Sequence, residues 1–338
     1  LAVIKANAYG HGLIQVARIL DSADAFAVAR LEEAVQLREA GIRKRLVILG
    51  GCTTAEELRT AAELAIDVVV HAPEQLALLE NTGVATPVWC WLKLDTGMAR
   101  LGLPVSAAAT AIIRLRQCRS VSGVTLMTHL ASADDRDDPA TPAQMATFAA
   151  LLKDWQGDVS VANSAAILQW PDTLHNTGIL RYGGRNWVRP GLMLFGASPL
   201  RSRTAAELGL QPAMSFESRL ISVKAVAMGQ RVGYGGHWVA PRNSVLGIAA
   251  AGYADGYPWH ARSGTRVGVG SAFGTLVGRV SMDMISIDLS DAPKAVIGDR
   301  VVLWGDGPGV EEVATAANTI PWTLMTGINR RVAVRIDA

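Results

Sequence analysis

Cysteine is scarce in this sequence. The three residues, Cys52, Cys90 and Cys118, are odd in number and none is closely paired, so neither a disulfide framework nor a zinc knuckle is suggested and a reducing cytoplasm fits. The six histidines are scattered and no His-Glu-x-x-His occurs, which gives metal catalysis no support. No apolar run approaches the roughly 20 residues of a membrane span, and no signal peptide is visible. The chain opens inside a strand, so residues upstream of Leu1 are expected to be missing and an exported form stays open beside the cytoplasmic one. A formal charge of only +2 over 338 residues offers no electrostatic case for nucleic acid or a membrane surface. Repeats and low-complexity tracts are also absent.

What is present is alternation. From Leu1 to about Pro199, short apolar runs alternate with amphipathic stretches, the pattern of strand and helix units in parallel pairing. Strands are read near Ala2–Ile4, Ala25–Ala29, Leu46–Leu49, Val68–Val70, Val88–Leu94, Val124–Thr128, Val159–Ala162 and Trp187–Val188. Helices are read over Leu13–Leu20, Leu31–Ala40, Thr54–Leu64, Pro73–Leu79, Ala107–Gln117 and Pro142–Trp155, with Thr54 and Glu57 forming a capping box. Eight such units predict an α/β fold, an N-terminal (β/α)8 TIM-type barrel, with chemistry where strands end and loops begin. A doubly wound sheet is the alternative, weakened by the lack of Gly-x-Gly-x-x-Gly after the first strand. From about Ser215 the chain turns to Val- and Gly-rich alternating runs, which predict a C-terminal mostly-β domain. The domains are drawn as 1–207 and 208–338, with the join expected within Leu200–Gln211.

The first dozen residues organise the rest. Ala2-Val-Ile reads as a buried strand, and Lys5 follows where it opens into a Gly-rich turn. A Lys in an apolar setting loses the solvation of its charged form, and its free amine can then attack a carbonyl; a Lys that merely reaches solvent at a barrel end is the plainer reading. The string Ala2-Val-Ile-Lys-Ala-Asn-Ala-Tyr-Gly-His-Gly12 resembles the pyridoxal-phosphate attachment motif of the alanine racemase family. In that family the lysine carries the cofactor and the tyrosine matching Tyr9 helps hold its phosphate.

The resemblance runs the length of the chain. Leu92-Lys-Leu-Asp-Thr-Gly-Met-Ala-Arg-Leu-Gly102 is similar to the segment whose arginine, here Arg100, reaches the cofactor's phenolic oxygen and the substrate carboxylate, a task for a planar cation that never loses its charge. The lysine matching Lys93 is carbamylated in many members, so Lys93 is a candidate for that modification; taken singly, Lys93 and Asp95 facing water and Arg100 capping a helix would be the bland reading. His129, in Met127-Thr-His, matches a histidine that packs on the pyridine ring. Ala162-Asn-Ser-Ala-Ala166 offers Ser164 and a helix start as an anion site, while Asn163 suits a helix cap as well as a phosphate contact. Arg189, in Trp187-Val-Arg-Pro-Gly191, is implied to face the pyridine nitrogen, opposing its protonation and making a shallower electron sink than a carboxylate would. Gly191 would let the backbone approach the phosphate.

In the second domain, Tyr234 in Val232-Gly-Tyr-Gly-Gly236 matches the family's second base; by itself a Tyr between glycines is usually a loop aromatic, and ionising a group with a pKa of about 10 needs nearby cations. Tyr253 resembles the entrance tyrosine. Met282, beside Asp283 in Val277-Gly-Arg-Val-Ser-Met-Asp283, matches the methionine whose N–H lies near the substrate carboxylate. Departures occur at Phe195 and Trp238, where Tyr is common, at Ser281, where many members have Cys, and at Arg330, which stands near the place of a phosphate-binding Tyr. The resemblance implies a two-base racemase interconverting L- and D-alanine for peptidoglycan, acting as a homodimer in which Tyr234, Met282 and Asp283 enter the partner's barrel. The rivals are a broad-spectrum or serine-preferring racemase, since pocket walls change specificity by only roughly 1–3 kcal/mol, then a decarboxylase on the same barrel and a non-catalytic cofactor carrier.

Overall fold

The computed structural model describes residues 1–153, 155–175, 180–292 and 294–336. These divide into two compact units, Leu1–Leu194 with Pro199–Ser202, and Phe195–Ser198 with Arg203–Ala338.

The first unit contains β1 (Ala2–Val3), β2 (Ala25–Val28), β3 (Arg45–Ile48), β4 (Ile66–Val70), β5 (Val88–Asp95), β6 (Leu103–Pro104), β7 (Val121–Met127) and β8 (Val159–Ser160). They form one parallel sheet in the order β1-β2-β3-β4-β5-β7-β8, with β6 pairing the far end of β5. β2 and β4 are buried at every residue, which is why they read as unbroken apolar runs: helices cover one face and the barrel interior the other. The eighth position is filled by a segment too irregular to be a strand. Asn186 and Arg189 bridge to Val159 and Asn163, and on the other side Val3 N–H donates to Pro190 O (2.8 Å). Pro190 has no N–H to give, so the run expected as Trp187–Val188 closes the ring through isolated bridges.

Between the strands lie α1 (Lys5–Tyr9), α2 (Leu13–Ile19), α3 (Leu31–Glu39), α4 (Ala55–Glu63), α5 (Pro73–Asn81), α6 (Ala108–Gln117), α7 (Ala140–Leu151) and α8 (Ser164–Gln169). The Thr54 capping box is present: its hydroxyl accepts from Glu57 N–H (3.1 Å) while the Glu57 carboxylate accepts from Thr54 N–H (3.2 Å). The helix expected over Pro142–Trp155 runs from Ala140 to Leu151; Asp154 lies outside the described residues. At the N-terminal end of the barrel strands, the Arg45 guanidinium lies 4.8, 5.7 and 5.3 Å from the ring centroids of Trp89, Trp91 and Trp187. Asp67 Oδ2 accepts from Arg45 Nε (2.6 Å) and Trp91 Nε1 (2.8 Å), so this end is plugged by a paired cation among aromatic rings.

The second unit holds β9 (Phe216–Val226), β10 (Arg231–Val232), β11 (Trp238–Val239), β12 (Ser244–Ala249), β13 (Arg266–Val269), β14 (Ala272–Val277), β15 (Ile285–Asp288) and β16 (Arg300–Trp304). Six of them close an antiparallel barrel, β12-β15-β14-β13-β16-β9, and β10 and β11 make a separate hairpin. Two helices follow, α9 (Val310–Ala316) and α10 (Pro321–Thr326), so the unit is mostly β without being all β. Glu311 and Glu312 occupy the first turn of α9 and Pro321 opens α10, start signals that the β reading of this segment passed over.

Candidate active site

The segment after β1 is not the simple loop its sequence suggests. Ala6, Asn7, Ala8 and Tyr9 have φ of 53°, 55°, 52° and 53°, one complete left-handed turn. Each non-glycine residue there costs roughly 1–2 kcal/mol against the right-handed conformation, so the surroundings must hold the turn in place. Ala8 N–H donates to Ile4 O (2.9 Å) and Gly12 N–H to Asn7 O (3.0 Å). Asn7 Oδ1 accepts from Leu13 N–H (2.9 Å). His11 Nδ1 lies 3.0 Å from both Ala8 O and Tyr9 O, and because carbonyls only accept, that nitrogen carries a proton. The Glu33 carboxylate accepts from Ala6 N–H (2.6 Å).

Lys5 stands at the base of this turn, with no hydrogen-bond partner for its amine among the described residues. Burial, and then the Arg100 charge, lowers its pKa from the ordinary lysine value, with Glu33 opposing. Lys93, near the end of β5, is 8% exposed, which excludes the reading that had it facing water. Burial and the charges of Arg189, Arg100 and Lys5 pull its pKa down to about 8. Asp95 is not idle either: its Oδ1 accepts from the N–H groups of Gly97, Met98 and Ala99 (3.0, 3.0 and 3.1 Å), folding the loop that presents the exposed Arg100. The Asp-Thr-Gly string signals such a turn.

Arg189 is buried in unit 1. Its Nη1 donates to Ser160 Oγ (2.5 Å), and Nη2 to Thr128 O (2.7 Å), Val161 O (3.1 Å) and His129 Nδ1 (3.3 Å). Desolvation lowers its pKa only to about 10, so it is cationic at neutral pH. A guanidinium has no acceptor, so His129 Nδ1 must offer a lone pair and the proton sits on Nε2. Burial, then the charges of Arg189, Lys93, Arg100 and Lys5, hold the His129 pKa well below its usual value, and the ring is neutral. Gln144, on α7 and 2% exposed, ties the two rim loops together. Its Nε2 donates to Thr96 Oγ1 (3.2 Å) and His129 O (2.9 Å), and its Oε1 accepts from Ala131 N–H (2.8 Å). A Gln inside a helix gave no warning of this in the sequence.

A small cradle lies beside these cations. Ser164 Oγ accepts from Gly191 N–H (2.8 Å) and Met193 N–H (3.4 Å), leaving its own O–H to donate. A Cβ at Gly191 would meet the Tyr9 hydroxyl at 2.5 Å, so Tyr9 reaches to within contact of that backbone. Donors with no carboxylate among them suit a phosphate. Asn163 serves as the cap of α8, its Oδ1 accepting from Ala166 N–H (3.0 Å). Tyr9, Ser164 and Gly191 thus form one cradle, and Lys5, Lys93, Arg100, His129 and Arg189 one electrostatically coupled group.

Unit 2 groups its own candidates. Tyr234 sits at the tip between β10 and β11, 72% exposed, flanked by Gly233, Gly235 and Gly236 with φ of 73°, 70° and 55°. The hairpin is anchored by Trp238 on Val226, Val232, Ala240, Leu246 and Val277. Tyr253 N–H and Ala254 N–H donate to Ser281 O (3.1 Å) and Met282 O (3.0 Å); Gly252 is required there because a Cβ would meet both carbonyls at 2.3 Å. Asp283 accepts from Arg331 Nη2 (2.6 Å), and Arg331 Nε donates to Asp255 Oδ1 (2.6 Å). Arg331 was not singled out in the sequence; its neighbour Arg330 was.

Two family models match the chain, described as alanine racemase, N-terminal domain, over residues 1–199 and alanine racemase, C-terminal domain, over 213–336. An alanine racemase of Nitrosococcus oceani is 49% identical over 98% of this chain and 90% of its own length. A biosynthetic alanine racemase of Pseudomonas aeruginosa is 45% identical over 99% and 91%. The crystal structure of the biosynthetic enzyme from Pseudomonas aeruginosa superposes with a TM-score of 0.93 at 44% identity, covering all of this chain and 92% of that one. The structure of alanine racemase from Acinetobacter baumannii gives 0.87 at 32% identity, over 98% and 90%. Among the described residues no helix is long and apolar enough to cross a membrane.

Proposed function

The chain belongs to the alanine racemase family, and from that premise we propose that it interconverts L- and D-alanine with pyridoxal phosphate held on Lys5. The observation that carries the reading is the desolvated, unpartnered Lys5 amine at a barrel rim it shares with the buried cation Arg189 and the neutral His129. Lys5 would hold the cofactor's aldehyde carbon covalently. Tyr9, Ser164 and the Gly191 backbone would take its phosphate, and Asn163 supports that cradle by capping α8. His129 would lie against the ring. The Arg189 Nε–H has no acceptor among the described residues, which suits it to a ring nitrogen. When bound, pyridoxal phosphate supplies an electron sink that acidifies the α-hydrogen of an attached amino acid.

The chain's own residues then divide the work. Arg100 holds the substrate carboxylate by its planar fork. Lys5, with its lowered pKa, is poised to take or return a proton on one face of the α-carbon. Arg189 stays charged and offers only donors, so it disfavours extra protonation of the ring and limits side reactions. The opposite face needs a second base, and Tyr234 of a second copy of this chain fills that role in a two-fold dimer. Met282 N–H assists at the carboxylate, Asp283 braces that segment through Arg331, and Tyr253 lines the entrance. The Lys93 amine, neutral in part near pH 8, is open to carbamylation, which would place an anion among four cationic or polar neighbours. Supplying D-alanine for peptidoglycan is the metabolic role we assign.

The reading is tested by adding pyridoxal phosphate, reducing with borohydride and mapping the adduct, then measuring racemisation of alanine, serine, lysine and arginine. A stable adduct on Lys5 with alanine turned over fastest is expected. An unmodified Lys5 overturns the cofactor assignment, and a faster serine or lysine overturns the substrate.

A further inference from the structure

Four consecutive left-handed residues lie immediately after Lys5, none of them glycine, and the first of their amides is held by a side chain far away in sequence. Glu33, in the first turn of α3, splits its carboxylate between two strand ends: Oε1 accepts from Ala6 N–H (2.6 Å), and Oε2 from Ala29 N–H (2.8 Å) and Arg30 N–H (3.2 Å). β1 and β2 stay paired as far as Ile4 N–H donating to Ala27 O (2.9 Å). Beyond that point the two backbones part, and the carboxylate takes over where the ladder stops.

We propose that Glu33 is a positioning residue for the reaction, clamping the left-handed turn after β1 to the end of β2 and so fixing where Lys5 points. The inference rests on the Lys5 assignment above. The chemistry requires a carboxylate: three N–H donors on two backbones need two accepting oxygens, and an amide offers only one. A turn this unfavourable relaxes toward ordinary backbone once its first amide is released, and Lys5, one residue upstream, turns with it. Glu33 also brings the negative charge that partly offsets the Arg100 cation at the Lys5 amine.

The test compares Glu33→Gln and Glu33→Asp with Leu37→Val, a control in the buried face of the same helix. Misaiming a reacting group by about 1 Å can cost on the order of 100-fold, so Glu33→Gln is expected to lower kcat by about 10- to 100-fold. KM should change by less than about threefold, since substrate-holding contacts are untouched. Loss of the carboxylate charge should also move the limb of the kcat/KM profile that reports Lys5 to lower pH. Leu37→Val should match the drop in melting temperature without either change. A readout independent of turnover is the Ala6 amide proton, seen with carbonyl-13C lysine and 15N alanine. Only three Lys-Ala peptide bonds exist, at Lys5, Lys224 and Lys294, and one of the three peaks should lie far downfield and move upfield in Glu33→Gln. Should Glu33→Gln fail to fold, Glu33→Asp, whose shorter arm cannot span both strand ends, is expected to show the same losses. Kinetics equal to Leu37→Val, or three unmoved peaks, overturns the clamp. If the unaltered protein forms no reducible adduct on Lys5, the functional assignment fails instead, and the amide peak still decides whether the clamp exists.

Discussion

Gly191→Ala is the sharpest probe of the cradle. The added methyl would lie 2.5 Å from the Tyr9 hydroxyl, 3.3 Å from Cζ and 3.7 Å from Val3 Cβ. Contacts between non-bonded heavy atoms settle near roughly 3.5–4 Å, so the phenol must retreat by about 1 Å. Tyr9 is buried and its backbone is locked in the left-handed turn, so the ring cannot swing aside freely, and overpacking of this kind costs about 1–3 kcal/mol. Any retreat withdraws the hydroxyl from an anion in the cradle. A hydrogen bond to a charged group contributes about 1.5–3 kcal/mol, so pyridoxal phosphate affinity should fall by roughly 10- to 150-fold. Titrating the cofactor by absorbance in Gly191→Ala, Tyr9→Phe and the double variant isolates the effect as a coupling. In the Tyr9→Phe background the hydroxyl is gone and the nearest atom is 3.3 Å away, so the extra methyl should weaken binding by no more than about threefold. Equal losses in both backgrounds would refute the hydroxyl as the atom that matters.

Lys93 should leave a signature in pH-dependent stability. Its pKa falls from 10.5 to about 8 on folding, so between those values the unfolded chain binds the extra proton and stability rises with pH. Lys93→Met should therefore be more stable than the parent below pH 8 in bicarbonate-free buffer, with the gain shrinking toward pH 10.5; urea midpoints that differ by a constant amount across that window would contradict this, and added bicarbonate should close the gap by carbamylating the parent. At the opposite end of the barrel, Asp67→Asn strands Arg45 among its three tryptophans and should cost about 3 kcal/mol with kcat unchanged, as read from melts and racemisation together. Mixing Lys5→Ala with Tyr234→Phe chains should yield hybrid dimers in which one site is intact; activity no higher than that of either parent would rule out sites shared between copies.

Much of the rim was legible in advance because barrel chemistry is confined to strand ends, and a strand end can be read as the place where an apolar run stops. Lys5, Lys93, His129 and Arg189 all follow or terminate such runs. The cradle was half legible: Ser164 and Gly191 were nominated on separate segments, but their hydrogen bond joins residues 27 apart, and nothing local announces it. The same holds for Glu33, which reads as an ordinary acidic residue in a helix's first turn.

The order of strands and helices, the cap at Thr54 and the position of Lys5 at a strand's exit follow from the chain itself, because hydrophobic period and capping chemistry act over a few residues. Local preference would never turn Ala-Asn-Ala-Tyr left-handed. That conformation, the neutral tautomer of His129 and the lowered pKa of Lys93 exist only where distant groups meet: a carboxylate from α3, a guanidinium from the closing segment and the desolvation of a finished barrel. Tertiary contacts decided these features because each rests on an energy that no stretch of a dozen residues can supply alone.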